Sequence, residues 1–291
     1  MALAQAVETR ARLMAAHNMP EDAFEIIVIK TTGDAVQNRP LSEIGGKGLF
    51  TKEIEEDLLS GAIDIAVHSM KDMPTVLPEG LEIVTVLPRE DVRDAFISLK
   101  YTSIDALPNG AIVGSSSLRR RAQLLAIRPD LQLVEFRGNV QTRLRKLDEG
   151  VAVATFLACA GLQRLGRSDI ANPISVEQML PAVAQGAIGI ENRIDDAAIN
   201  ALLAPINHVE THIRLCAERA FLKVLDGSCR TPIGGLAVLD GNKLTFHGEV
   251  LRPDGSKIHK GVWHGDVSDA HIIGQEAAHI LKRKAGEGFF D

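Results

Sequence analysis

Three short segments concentrate residues able to bind anions or move protons. They are His68-Ser69-Met70-Lys71-Asp72, Gly114-Ser115-Ser116-Ser117-Leu118-Arg119-Arg120, and Arg137-Gly138-Asn139-Val140 with Arg143 one turn further on. In the second and third, a strand pattern ends, small or polar residues turn the chain, and a helix pattern begins. Free backbone N–H groups and the helix dipole favour an anion at such a point. Arginine adds paired donors that match carboxylate or phosphate. One dipole contact is worth only about 0.3–1 kcal/mol, so several groups must act together. Between Ser117 and Lys146, seven arginines (119, 120, 121, 128, 137, 143, 145) and Lys146 face only Asp130 and Glu135, in a chain of net charge −6. Arg121, Arg128 and Arg145 read as a solvated helix face. Arg119, Arg120, Arg137 and Arg143 fall where the carboxyl edge of an open sheet binds ligands, and the ligand is expected to be polyanionic. No GxGxxG or GxxxxGK[ST] pattern occurs in this part of the chain, which argues against a dinucleotide or nucleoside triphosphate.

Other candidates carry two readings each. Asp72 is either a turn aspartate bonding its own backbone or a carboxylate that moves protons or balances a cation. Gly45-Gly46-Lys47-Gly48 precedes a helix and is either an anion loop or plain turn chemistry. Cys229, in Gly227-Ser228-Cys229-Arg230-Thr231-Pro232, sits in a glycine-flanked turn where a thiol beside Arg230 could be accessible, acidic and able to form a covalent bond. Cys159 lies in an apolar run and Cys216 on a helix, so both read as packing. No His/Cys/Asp cluster has metal-ligand spacing, and His68 alone reads as structural.

The elements behind these residues follow from pattern. At 291 residues the chain exceeds one compact core and predicts two or three domains. Hydrophobic residues at 45% and charged residues at 24% exclude disorder. The acidic balance and an aromatic content of 4% oppose a nucleic-acid binder. No apolar run is long enough to span a bilayer, and the start lacks a signal-peptide core, so a reducing cytoplasmic setting is expected. Residues 1–17 predict a helix with Leu3, Val7, Leu13 and Met14 as its apolar positions, and Phe24–Ile29 predicts a strand. Leu49–Ser60 predicts a helix stopped by Gly61, followed by a strand over Ala62–Val67 of the kind found inside parallel sheets. From about residue 93, strands and helices alternate, which predicts βαβ units and a doubly wound sheet. After Gly227 a hairpin, a further strand and a last helix predict a small α+β domain.

Taken together, the segments resemble the porphobilinogen deaminase family. The resemblance rests on Gly45–Phe50 (GGKGLF), Asp64–Asp72 (DIAVHSMKD), Arg93–Ser98 (RDAFIS), Gly114–Arg120 (GSSSLRR), Phe136–Val140 (FRGNV), Ala160–Gly166 (AGLQRLG), Leu180–Glu191 (LPAVAQGAIGIE) and Ser228–Gly234 (SCRTPIG), in family order and spacing. It implies a transferase that joins four porphobilinogen units head to tail, releasing ammonia, to give the linear tetrapyrrole hydroxymethylbilane of heme biosynthesis. It further implies a dipyrromethane primer joined by a thioether to Cys229. Each pyrrole carries an acetate and a propionate, which accounts for an arginine-lined site in an acidic protein. By the match, Arg119, Arg120, Arg137, Arg143 and Arg164 bind those carboxylates, with Ser117, Lys47 and Lys71 beside them. Asp72 matches the family's catalytic carboxylate, with Lys71 next to it.

The resemblance also implies an α/β fold of two periplasmic-binding-protein-like doubly wound domains with a cleft between them, plus a small C-terminal α+β domain. The expected boundaries are 1–90 with 188–207 for a discontinuous domain 1, 91–187 for domain 2, and 208–291 for domain 3, which carries the cofactor cysteine. A monomer acting on a small molecule, with no nucleic acid, membrane or metal, is expected. The start Met1-Ala2-Leu3-Ala4-Gln5-Ala6 matches only the end of the family's opening pattern, so the first strand and its Arg and Ser are expected to be lacking and stability and activity lowered. A solute-binding protein is the main non-enzyme rival, but it has no use for Cys229 or a third domain.

Overall fold

A computed structural model of the chain describes residues 1–31, 51–227 and 231–290. Lys47, with the Gly45–Gly48 loop, and Cys229 lie outside the described residues. The chain divides into two compact units, Met1–Glu90 with Gly186–Ile213, and Asp91–Gln185 with Arg214–Asp291.

In the first unit, helix α1 (Ala2–His17) is followed by a single 3-10 turn at Glu21–Ala23. Helix α2 (Lys52–Ser60) ends at Gly61, whose φ of 78° is the left-handed cap that favours glycine. Strand β1 (Ile65–Ser69) runs into a 3-10 turn at Met70–Asp72, and strand β2 (Leu81–Val86) follows. Strand β8 (Ile188–Arg193) returns from far along the chain and pairs antiparallel with both, in the order β1-β8-β2. Helix α6 (Ala197–Leu203) closes the unit. Its core gathers Leu13, Leu87, Ile188, Ile190, Leu203 and Ile206.

Three expectations fail here. Strand β1 was expected in a parallel setting; its partner among the described residues is antiparallel, because β8 enters from the opposite end of the sheet. Phe24–Ile29 joins no ladder among the described residues, and Ile27 and Val28 are 52% and 72% exposed. An apolar run becomes a strand only where a neighbour takes up its N–H and C=O groups. Helix α1 buries Gln5, Thr9 and Leu13, whereas Leu3 and Val7 are exposed. The face is set by a polar contact, since Gln5 Nε2 donates to Ser69 Oγ at 2.8 Å.

The second unit holds a five-stranded sheet of order β5-β4-β6-β3-β7. Its members are β3 (Asp94–Ile97), β4 (Ile112–Gly114), β5 (Gln132–Val134), β6 (Ala154–Ala158) and β7 (Asn172–Pro173). Strands β5, β4 and β6 are parallel and are crossed over by helices α3 (Leu118–Ile127) and α4 (Val140–Asp148). Strand β3 runs antiparallel to both its neighbours, β6 and β7, so the alternating pattern holds for three strands and the sheet is mixed. Phe96, Val113, Leu124, Ala154 and Phe156 form one core cluster of this unit. Burying a side chain of this kind contributes roughly 1.5–3 kcal/mol.

Helix α5 (Cys159–Arg164) follows β6, and helix α7 (Val209–Val224) leads to the C-terminal part. There β9 (Ile233–Asp240), β10 (Lys243–Leu251) and β11 (Ile258–Asp266) form an antiparallel meander. Helix α8 (Ala270–Ala285) covers it with Ala270, Ile273, Ala277, Ala278 and Leu281.

Candidate functional site

The arginine cluster grows out of the end of β4. Gly114 is the last residue of that strand, and a Cβ there would lie 2.3 Å from the Phe136 ring. Only glycine lets the strand pass so close to the ring. The chain then turns through Ser115 and Ser116, whose Oγ accepts the Phe136 N–H at 2.9 Å. Ser117 caps α3, its side chain accepting the Arg120 N–H at 3.5 Å. That cap sends Arg119 and Arg120 into the unit from the first turn of the helix.

Both guanidiniums are buried, at 4% and 8% exposure, and they meet the carboxylate of Asp94, which is fully buried in β3. Arg120 Nε and Nη2 donate to Asp94 Oδ1 at 3.0 and 2.7 Å, and Arg119 Nη1 lies 2.8 Å from Asp94 Oδ2. Gln185 Nε2 donates to the same Oδ1 at 3.1 Å and to Val92 O at 2.8 Å. Although burial opposes ionisation of Asp94, the two guanidiniums hold its carboxyl well below the usual carboxylate range. Arg119 Nη1 also donates to Gln123 Oε1 and Leu180 O, both at 2.9 Å. Gln123 Nε2 in turn donates to Glu249 of β10. Burial pushes the Glu249 carboxyl up, against the pull of Gln123 and Arg119.

The third sequence segment joins the same cluster. Asn139 caps α4, accepting the Thr142 N–H at 2.9 Å. Arg143 Nε donates to Gly138 O at 2.9 Å, and its Nη1 shares Phe156 O with Arg120 Nη1, at 3.3 and 2.9 Å. Burial, together with the neighbouring Arg120 and Arg137 charges, pushes Arg143 down to about 10. Arg119 Nε is buried with no hydrogen-bond partner among the described residues. Crowded like charges and an unsatisfied cationic donor are what a polyanion would relieve, so these residues fit a ligand rich in carboxylates.

The other three arginines each have a carboxylate partner, but only Arg145 is the solvated residue expected. Arg128 is mostly buried, its Nη1 donating to Ile104 O and Leu107 O at 3.1 Å, and Arg121 is half-buried, donating to Ser115 O. Arg121 pairs with Glu135 at 3.2 Å, Arg128 with Asp130 at 2.8 Å and Arg145 with Glu149 at 3.6 Å. Arg164 is the half-buried last residue of α5. Cys159 is 6% exposed, and burial pushes its thiol up to about 11, as suits a packing residue.

Lys71 and Asp72 belong to the first unit, on the 3-10 turn after β1. The turn is pinned where the Met70 N–H donates to Ala187 O at 3.0 Å. Asp72 reaches solvent, yet the surrounding protein pushes its carboxyl up, opposed by Lys71 and then His68. His68 itself is buried, its Nε2 lying 2.9 Å from Glu191 Oε2 on the neighbouring strand β8.

The structure thus brings Ser117, Arg119, Arg120, Arg137 and Arg143 into one neighbourhood of the second unit and sets Lys71 with Asp72 in the first. Sequence reasoning missed Asp94, Gln123, Gln185 and Glu249. A signal was present for the first, because an aspartate opening the apolar strand Asp94–Ile97 must find a cationic partner to be buried.

Two family models match the chain. Residues 1–201 match the family model described as porphobilinogen deaminase, dipyromethane cofactor binding domain, and residues 212–283 match the porphobilinogen deaminase C-terminal domain. The chain belongs to the porphobilinogen deaminase family. It is 62% identical over 292 residues to the porphobilinogen deaminase of Paracoccus denitrificans, covering 100% of this chain and 93% of the relative. It is 53% identical over 291 residues to that of Nitrobacter winogradskyi, covering 100% and 92%. Among solved structures, a periplasmic substrate-binding protein from Coxiella burnetii aligns at 15% identity and a TM-score of 0.40, over 69% of this chain and 86% of that one. A periplasmic binding protein of high arginine specificity from Salmonella typhimurium aligns at 13% identity and a TM-score of 0.39, over 69% and 80%. At these scores the structural likeness carries no argument. As a family member the chain is a transferase of tetrapyrrole biosynthesis that uses a dipyrromethane cofactor to make hydroxymethylbilane.

Proposed function

We propose that this family member carries its dipyrromethane through a thioether at Cys229 and binds the pyrrole carboxylates with Arg119, Arg120, Arg137, Arg143 and Arg164, aided by Ser117 and Lys47. The bound dipyrromethane supplies the fixed end from which the chain grows. Asp72 accepts the pyrrole N–H of incoming porphobilinogen and stabilises the positive charge that develops there as ammonia departs. Lys71, beside it, favours the ionised form of that carboxylate. The observation that carries this reading is the crowding of Arg143 against Arg120 and Arg137, a positive cluster with more cationic than anionic groups.

Replacing Arg120 or Arg119 by Leu is expected to block primer loading or early elongation, whereas Arg121→Leu does little, because Arg121 already pairs with Glu135. Equal effects at all three positions would overturn the assignment. We also propose three domains, 1–90 with 188–207, 91–187 and 208–291; the separate family match over residues 212–283 supports the last. A cytoplasmic monomer is proposed as well. The free thiols of Cys159 and Cys216 suit a reducing compartment, and no described helix is long and apolar enough to cross a membrane. Sedimentation of the purified protein tests the monomer.

A further inference from the structure

The arginine pair is held in place by a residue to which the reading above gives no part. We infer that Asp94 is a positioning residue for substrate binding: its buried carboxylate fixes Arg119 and Arg120 in the orientation that receives pyrrole carboxylates. Two adjacent arginines on the first turn of one helix repel each other and lose hydration when buried. Asp94 offsets both effects at once, with one oxygen on each guanidinium, at 2.7 Å to Arg120 and 2.8 Å to Arg119.

The carboxylate is itself fixed. Gln185 donates to it from a loop that is unusually constrained, since the preceding residue, Ala184, has a φ of 62°. A non-glycine residue persists in the left-handed region only where its surroundings hold it there. Here the Ala184 N–H donates to Glu218 Oε2 at 2.7 Å, and the other oxygen of Glu218 accepts the Ala237 N–H of β9 at 2.9 Å. Glu218 thus sets Ala184, Ala184 aims Gln185, Gln185 orients Asp94, and Asp94 orients the arginines. On the far side, Arg119 is tied through Gln123 to Glu249 of β10. Glu249 stands opposite Gly234, close in sequence to the segment that holds Cys229. One carboxylate in the pair leaves net positive charge to attract the anionic ligand, whereas none would leave the pair uncompensated.

The inference rests on the reading that the arginine pair binds carboxylates, and the test separates the two. Apoprotein of each variant is mixed with porphobilinogen, and the fraction carrying two pyrrole rings is followed by intact mass, alongside KM, kcat and melting temperature of the loaded fraction. Asp94→Asn keeps the shape and removes the charge. It is expected to slow loading at least about tenfold and to raise KM. Gln185→Met leaves both arginines and Asp94 in place but removes one donor to the carboxylate, so it serves if Asp94→Asn does not fold; it is expected to raise KM in the same direction by a smaller factor. In an Arg120→Leu background the effect of either change on loading is expected to shrink, since one of the two groups it acts through is gone. A lower melting temperature with loading and KM unchanged in both variants would overturn the inference and leave Asp94 a purely structural counterion. Faster loading would also overturn it, showing that Asp94 competes with the ligand. Normal loading by Arg120→Leu would instead overturn the underlying reading of the arginines.

Discussion

Gly114→Ala is a demanding test of how the strand end aims the arginines. The added Cβ would stand 2.3 Å from Cγ and Cδ2 of Phe136 and 2.8 Å from its Cβ. Carbon atoms in contact prefer about 3.5–4.0 Å, so the overlap exceeds about 1 Å. Phe136 is fully buried and cannot retreat into solvent. Overpacking of this severity falls at the upper end of the usual range, about 3 kcal/mol. The substitution also stiffens the unfolded chain, which offsets roughly 0.4–1 kcal/mol. A net loss near 2 kcal/mol lowers the melting temperature by about 3 °C for a protein of this size, whose unfolding entropy is about 0.6 kcal/mol per degree. Circular dichroism on heating reads the stability, and intact mass after exposure to porphobilinogen reads primer loading. Loading is expected to suffer as well, since displacement of Phe136 pulls on Ser116 and hence on the turn before Arg119. Phe136→Ala removes Cγ and Cδ2, the two closest atoms, so the double variant is expected to be more stable than the sum of the single changes predicts, by about 0.5–3 kcal/mol. An unchanged melting temperature for Gly114→Ala, or strict additivity with Phe136→Ala, would refute the reasoning.

Further outcomes follow from individual contacts. Asn139→Ala removes a short cap at 2.9 Å and is expected to cost about 1 kcal/mol, whereas Ser117→Ala removes a long one at 3.5 Å and costs nearer to 0.5 kcal/mol, both read by urea unfolding. The raised Asp72 carboxyl means that its ionised form is lost at a higher pH than for an ordinary aspartate as the medium is acidified. The acid limb of kcat is therefore displaced upward, and Lys71→Met displaces it further, because the lysine opposes the shift; a limb that moves down contradicts this. Asp94 has the opposite sign. Its lowered carboxyl contributes stability above the ordinary aspartate value that is lost only as the pH falls through its depressed one, so Asp94→Asn narrows the difference in melting temperature between neutral and strongly acidic buffer. Cys159, with its thiol pushed up to about 11, is expected to react with iodoacetamide near neutral pH only after unfolding, as peptide mapping will show.

What could be read from the sequence was local. The two helix starts after the small and polar turns are legible, and the structure begins α3 at Leu118 and α4 at Val140, each behind a side chain that bonds its own neighbourhood, Ser117 and Asn139. Gly61 announces a stop because its backbone readily takes the left-handed conformation that ends the helix. The losses are all long-range. Helix α1 turns Gln5 rather than Leu3 inward because of Ser69, which no periodicity within the helix can reveal. The direction of β1 depends on β8, more than a hundred residues away in the chain. The arginines illustrate the same limit at the site. Their type and spacing point to an anion, but nothing around Arg119 and Arg120 in sequence indicates that Asp94 and Gln185 surround them.

The central claim is that guanidiniums hold an anionic pyrrole chain tethered through sulfur at Cys229. Intact-mass measurement on protein made in porphobilinogen-producing cells tests it most directly. The account predicts a chain heavier by two linked pyrrole rings, a shift abolished by Cys229→Ser and sharply reduced by Arg120→Leu. An unshifted mass for the parent chain, or the same added mass on the Cys229→Ser variant, would contradict it.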